Sequence, residues 1–212
     1  MALTFLDFSY CGDHLASDGI IYLQGTGGDL ANMDISCHGS FMQHADGSCD
    51  TSHDTNYPTR FYNIVESYGK GVWDLNPYVH SFVIFGNYGN KKDFVTFDPQ
   101  SIGIEPYSLM AIVCGDQLLY GIWGDGNEDD GPSQVGEASS GLGRHCYGTA
   151  VDGNNAHTDN DVLYIAFTGR DAVPGADGAK WDATTFDEFE QSLQALGDRL
   201  IAKIGGGSAS VD

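Results

Sequence analysis

The sequence predicts a mainly β (α+β) domain built on a small barrel-like sheet, with flanking helices that include one near the C-terminus. Three observations predict it. Short apolar runs bounded by Gly, Asn and Asp recur along the chain. Two of them, SLMAIVC and DVLYIAF, are apolar at nearly every position, as in strands covered on both faces or closed into a barrel. Clear helical periodicity is confined to the end of the chain.

The strands are read at GIIYLQG (19–25), YVHSFVIFGN (78–87), SLMAIVCG (108–115), QLLYGIWGD (117–125) and DVLYIAFTG (161–169). Between Val113 and Leu118 lies Cys-Gly-Asp-Gln, whose Gly-Asp pair supplies the turn of a tight hairpin. That hairpin carries Asp125 at its far end. In TRFYNIVESYG (59–69), Phe61, Ile64, Val65 and Tyr68 share one helical face. A longer helix is expected over 185–204, where Phe186, Phe189, Leu193, Leu196, Leu200 and Ile204 recur three and four residues apart, behind a Thr185/Glu188 capping box. Residues 1–204 are expected to form a single domain, and GGGSASVD (205–212) a flexible tail.

Nine Lys and Arg against thirty Asp and Glu give a formal charge of −21 over 212 residues, spread along the whole chain. Nucleic acid is excluded as a partner by that sign, whereas a polycation, metal ions or a basic protein are favoured. The longest apolar run, MAIVC at 110–114, is far too short for a bilayer, so a soluble protein without a membrane partner is expected. The glycine-rich GTGGDL at 25–30 lacks the lysine and following helix of a phosphate cradle.

Five cysteines in an acidic, lysine-poor chain point to an oxidising compartment. The pairing cannot be deduced from sequence alone; the expected bridges are Cys37 with Cys49 and Cys114 with Cys146, leaving Cys11 outside both. No charged-then-apolar leader opens the chain, and Met1-Ala2 reads as an artificial start in place of a secretion signal.

The stretch WGDGNEDDGPSQVGEAS at 123–139 packs five carboxylates into seventeen residues. Counted from Asp125, the ligand types at Asp125, Asn127 and Asp129 begin like a calcium loop, but Asp130 stands where that loop needs glycine and Glu137 falls one place late. The alternative takes the two outer acids, Asp125 and Glu137, as the carboxyl pair that glycoside hydrolysis requires. Trp123 lies two residues before Asp125 and so on its face if the strand continues, and with Tyr120 it would offer an aromatic surface to sugar rings. Core burial is the competing reading for both aromatics. His38, His44 and His53 near Cys37 and Cys49 match no zinc spacing. Cys11 and His14, three residues apart, give no oriented nucleophile.

The motifs YCGD, IYLQGTGGDLANMDISCHG, FDPQSIGIEPYSLMAIVC, LLYGIWGDGN, GEASSGLGRHC and DNDVLYIAFTGRDAVPGADGAKW, spread over residues 10–181, together resemble the fungal-type endo-chitosanases of glycoside hydrolase family 75, in a match that runs on to about residue 204. The resemblance implies endo-hydrolysis of the β-1,4 bonds of chitosan with inversion, on a six-stranded core similar to the double-psi barrel of inverting endoglucanases, without a metal cofactor. The family's essential Asp of YGIWGD and Glu of GEAS fall on Asp125 and Glu137. A negative neighbourhood favours the protonated form of Glu137, which makes it the general acid, with Asp125 as the general base. Asp34 and Asp98, each ending an apolar stretch, are candidate holders of glucosamine ammonium groups; turn capping is their alternative. The chain departs from the family in the acidic NEDDGPSQV connection and in GLGRHCYGTAVDG, which replaces a more apolar, helical-looking segment. A secreted monomer acting on chitosan is expected, against the alternatives of a non-catalytic polycation-binding module and a calcium-stabilised domain.

Overall fold

The computed structural model describes residues 3–5, 8–11, 16–40, 44–50, 52, 58–128, 131 and 133–204. The expected tail at 205–212, with His14, His53, Asp129 and Asp130, lies outside the described residues. Nine strands are described: β1 (Leu3–Phe5), β2 (Phe8–Cys11), β3 (Ile20–Gly25), β4 (Ala31–Ser36), β5 (Phe82–Asn87), β6 (Leu109–Cys114), β7 (Gln117–Asn127), β8 (Glu137–Ser139) and β9 (His157–Phe167). Three α-helices accompany them: α1 (Tyr62–Ser67), α2 (Ser140–Tyr147) and α3 (Phe186–Ile201).

One mostly antiparallel sheet joins all nine strands in the order β1-β2-β3-β9-β4-β8-β5-β7-β6. The long β9 has a further partner in β6, from Met110 opposite Ala166 to Val113 opposite Leu163. Two pairings are parallel, β4 with β8 and β5 with β7. Burial explains the continuous apolar runs: all six residues of β5 and five of six in β6 are buried, so neither face is left to water. The β6–β7 hairpin closes with Cys114 opposite Gln117, around a Gly115-Asp116 turn in which Gly115 takes φ 55°. This is the left-handed conformation that two-residue hairpin turns demand.

Helix α3 lays Phe186, Phe189, Leu193, Leu196 and Leu200 on the core, each contributing about 1.5–3 kcal/mol of burial. The Thr185 hydroxyl accepts from the Glu188 amide at 3.3 Å, while the Glu188 carboxylate reaches one residue further back, to the Thr184 amide at 2.9 Å. The cap is thus a shifted form of the expected box. Gly197 sits where α3 crosses β7: a Cβ there would lie 2.5 Å from the Tyr120 ring. Both predicted disulfides are present, Cys37–Cys49 and Cys114–Cys146. Cys11 is buried outside them, its Sγ 3.6 Å from the Ser9 carbonyl.

The segment after GEASS forms α2, in which Gly141 and Gly143 allow close packing against Tyr78 and Ile35. One expectation needs correction. The run at 78–87 is strand only from Phe82 onwards. Its first residues turn around Asn76, whose carbonyl accepts from the Val79 and His80 amides and whose side chain accepts from Tyr78.

His80 in that turn is 2% exposed. Its Nδ1 accepts from the Asn76 amide at 2.7 Å and its Nε2 lies 2.9 Å from the Trp181 carbonyl, so the neutral ring is satisfied on both sides. Burial holds its pKa down at about 4, against 6.5 for a free imidazole, with the Trp181 carbonyl opposing. Above pH 6.5 the ring is neutral in folded and unfolded chain alike; below it the unfolded chain takes up the proton first. Stability from this group is therefore lost as pH falls from 6.5 towards about 4, by about 3 kcal/mol in all. Urea midpoints of the wild type and His80→Gln across this range should converge towards acid pH; a constant difference would show that His80 does not carry the slope.

Candidate active site

Sheet register brings the two acids of the 123–139 stretch together. Ile84 on β5 is opposite Glu137 of β8 on one side and opposite Asp125 of β7 on the other. Glu137 is in turn opposite Asp34 of β4. Asp34, Glu137, Ile84 and Asp125 thus form one row across four strands, with Glu137 and Asp125 two strand spacings apart, about 10 Å between Cα atoms.

A β-bulge sets this row. Val83 is opposite Trp123 but Ile84 is already opposite Asp125, so Gly124 is the extra residue. Only glycine fits: a Cβ there would stand 2.6 Å from the Phe82 Cβ and 2.7 Å from a Leu75 methyl. The bulge overturns the expectation that Trp123 and Asp125 share a face, since their partners Val83 and Ile84 point to opposite sides. Trp123 is wholly buried, edge-on to Phe61 with ring centroids 4.7 Å apart, and its Nε1 donates to the Asp125 carbonyl at 2.8 Å. It presents no stacking surface; it braces the backbone of the acid.

Asp125 is 4% exposed. Its Oδ1 accepts from the Arg60 amide at 2.9 Å and the Gly126 amide at 2.8 Å, and its Oδ2 lies 2.9 Å from His38 Nδ1. These partners come from three separate segments. His38 follows Cys37, which the disulfide to Cys49 holds, and its amide bonds the Ser36 hydroxyl at the end of β4. Arg60 follows Thr59, whose amide and hydroxyl both bond the buried carboxyl of Asp74. Burial lifts the Asp74 pKa to about 6, against the hydrogen bonds from Thr59 and Leu75 and with a small push from the charge of Asp125.

Glu137 is also buried, at 7% exposed. The preceding Gly136 has φ 76° and lies against Asn32, where a Cβ would approach the carbonyl to 2.6 Å; its own carbonyl accepts from the Asp34 amide at 2.6 Å. Burial raises the pKa of Asp34, with a hydrogen bond from the Asn32 side chain opposing. Tyr164 of β9 donates its hydroxyl to the Asn32 carbonyl at 3.1 Å. Burial, then the neighbouring Tyr147, Asp34 and Glu137, keep that phenol protonated far above its usual range.

Other expected site residues are placed elsewhere. Tyr120 is buried beneath α3, its amide bonded to Glu190 and its hydroxyl to Asp198. Asp98 caps the 3-10 turn Pro99–Ile102 by accepting from the Gln100 amide at 3.0 Å, and also accepts from the Tyr88 hydroxyl at 3.2 Å. The Arg60 guanidinium covers the Tyr88 ring at 3.5 Å and pairs with Glu128. The connection from Asp125 to Glu137 is therefore tied on its outgoing limb by Glu128. On its return limb Asn87 exchanges two 2.9 Å hydrogen bonds with the Gln134 backbone.

Of the calcium-loop ligand types counted from Asp125, Asp125 itself is engaged by three donors from the protein, and Asp129 lies outside the described residues. Among the described residues, His157, Asp159 and Asp161 bring three possible ligand atoms within 4.8 Å of one another, largely exposed, with His157 Nε2 bonded to Asp161 at 2.7 Å. His38, Arg60, Asp74 and Tyr164 were not legible as site residues: they are distant from the acids in sequence, His38 reaching Asp125 across 87 positions and Arg60 across 65, and only the CH pair at 37–38 drew attention to His38, as a metal candidate.

Gly136→Ala should destabilise the protein by about 1–3 kcal/mol through forced left-handed geometry and should lower activity disproportionately by shifting Glu137. A thermal melt within error of the wild type would contradict the role given to this glycine.

Comparison with known proteins places the site in context. The family model described as "Fungal chitosanase of glycosyl hydrolase group 75" matches residues 33–203. The chain is 43% identical over 198 residues to an endo-chitosanase of Aspergillus oryzae, covering 92% of this chain and 76% of that one. An Aspergillus fumigatus endo-chitosanase is 43% identical over 196 residues and the A. oryzae endo-chitosanase B 40% over 198, each with the same coverage.

Proposed function

The chain belongs to the fungal chitosanases of glycosyl hydrolase group 75, and from that premise we propose that it cleaves internal β-1,4 bonds of chitosan with inversion, Glu137 acting as general acid and Asp125 as general base. The observation that carries the assignment is the register: the two buried carboxyls flank Ile84 in one row, about 10 Å apart at Cα. This leaves room for the 6.5–9.5 Å carboxyl separation that an inverting site needs for its water, roughly.

The surroundings divide the roles. Asp125 accepts on both oxygens, which suits an ionised, acceptor-only carboxylate. Glu137 stands beside Asp34 on the adjacent strand, and two such carboxyls repel when both are charged, which favours a proton on the pair. In the reaction Glu137 gives that proton to the leaving glycosidic oxygen as the C–O bond breaks. Asp125 takes a proton from the water that attacks the anomeric carbon from the opposite face, so the new hydroxyl has inverted configuration. Asp34, half-buried beside the acid, is the candidate partner for a glucosamine ammonium.

The charge of −21 attracts a polymer whose amines are protonated below about pH 6.5 and disfavours neutral acetylated units, for which the site has no complementary charge. Two disulfides suit secretion. Strands β9, β4, β8, β5, β7 and β6 pair in turn and β6 returns to β9, which supports a six-stranded, double-psi-like barrel within a single domain spanning 1–204.

Glu137→Gln and Asp125→Asn should each lower the rate of reducing-end release from chitosan by about 100- to 10,000-fold, while the polymer still co-sediments with the protein. Residual activity near the wild-type level would remove the residue from its role. Proton NMR of the first products should show the α-anomer; initial β-anomer would mean retention. A wild-type chain that binds chitosan without releasing reducing ends would instead be a binding module.

A further inference from the structure

Of the three tryptophans, Trp123 and Trp181 are essentially unexposed, but Trp73 leaves 51% of its surface open and is the only aromatic among the large exposed apolar side chains described. It stands at the mouth of a cavity of about 230 Å³, whose wall includes Asn76, Trp181, Asp182 and Thr184. That exceeds the roughly 150 Å³ that admits a benzene ring.

The position is rigid. The next residue, Asp74, is wholly buried and takes hydrogen bonds from the Thr59 amide at 3.0 Å and the Leu75 amide at 2.7 Å. Trp181 at the back of the cavity donates Nε1 to the Gly175 carbonyl and receives His80 at its own carbonyl. The exposed half of this indole leaves apolar surface in water, whereas a flat ligand with an apolar side recovers that area.

The cavity also adjoins the catalytic row. Asp74 lines it and bonds Thr59, while the next amide, Arg60, bonds Asp125. Leu75 packs against Gly124 in the bulge. The wall of the cavity and the support of Asp125 therefore share one residue, Asp74. Asp182 places an exposed carboxylate on the wall. The rim cation Lys70 is paired with Asp177 at 2.7 Å, so the charge it sets against a bound ammonium is largely neutralised.

We propose that Trp73 and Asp182 form a distal subsite for one glucosamine unit of the substrate, the indole stacking on the apolar face of the sugar ring and the carboxylate taking its ammonium. This rests on the chitosanase reading and extends it to a place on the polymer away from the cleaved bond. Such a subsite contributes mostly uniform binding, which appears in KM more than in kcat.

The test uses the full chain carrying Glu137→Gln, titrated calorimetrically with the hexamer of β-1,4-linked glucosamine. Adding Trp73→Ala should weaken binding about fivefold to tenfold, Trp73→Phe should return it to within about twofold, and Asp182→Asn should weaken it while flattening its salt dependence. In the otherwise native chain, Trp73→Ala should raise KM for long oligomers more than it lowers kcat. Unchanged hexamer affinity in the Trp73→Ala protein, or a Trp73→Phe protein as weak as it, would overturn the subsite. Failure of the chitosanase reading itself is seen separately, as the absence of reducing-end release by the native chain.

Discussion

A carboxylate buried to 4% exposure is tolerable only if its charge is answered by donors, and the answer given to Asp125 organises much of this molecule. Its three partners come from the loop after β4, the turn before α1 and its own strand. Each needs a support of its own. The Cys37–Cys49 bridge holds the first, the buried Asp74 carboxyl the second, and the Gly124 bulge aims the third. The connection between β4 and β5, which carries α1, is thereby fastened to the sheet at the point where the chemistry is proposed.

The opposite end of the row is built on a different balance. Glu137 occupies the first position of a strand only three residues long, caught between β4 and β5. Its neighbours include another half-buried acid, Asp34, directly opposite on β4, and the neutral phenol of Tyr164. One carboxyl is set among amide and imidazole donors and the other opposite a carboxyl, although both belong to the same sheet. That difference in environment, not in residue type, is what supports the proposed division into acid and base.

Much of the fold was legible in the sequence because it depends on local pattern. The runs around β3, β5, β6, β7 and β9, the α3 stripe and the hairpin turn at Gly115-Asp116 are all period and turn chemistry. What escaped depends on partners distant in sequence. Strand β8 is too short to show alternation, and β4 mixes polar and apolar residues, ANMDIS, because one edge lies beside an acid. The bulge at Gly124 breaks the period-two rule in the one place where it was used to orient Trp123. Asp125 and Glu137 were recognisable from their motifs, but nothing in the spacing announced His38, Arg60 or Asp74 as supports. Asp98 does cap a turn, the alternative weighed for it, a role that a polar residue before proline commonly takes.

The connection that leaves Asp125 and returns to Glu137 is moored at both ends, by Glu128 on Arg60 and by Gln134 on Asn87. Ser133, just before the second mooring, is itself buried and accepts from the Val95 amide at 3.0 Å. With its two ends fixed in this way, the connection can vary in charge near Glu128 while the spacing of Asp125 and Glu137 is kept by the sheet, so the proposed catalytic pair and the loop that joins it can change independently.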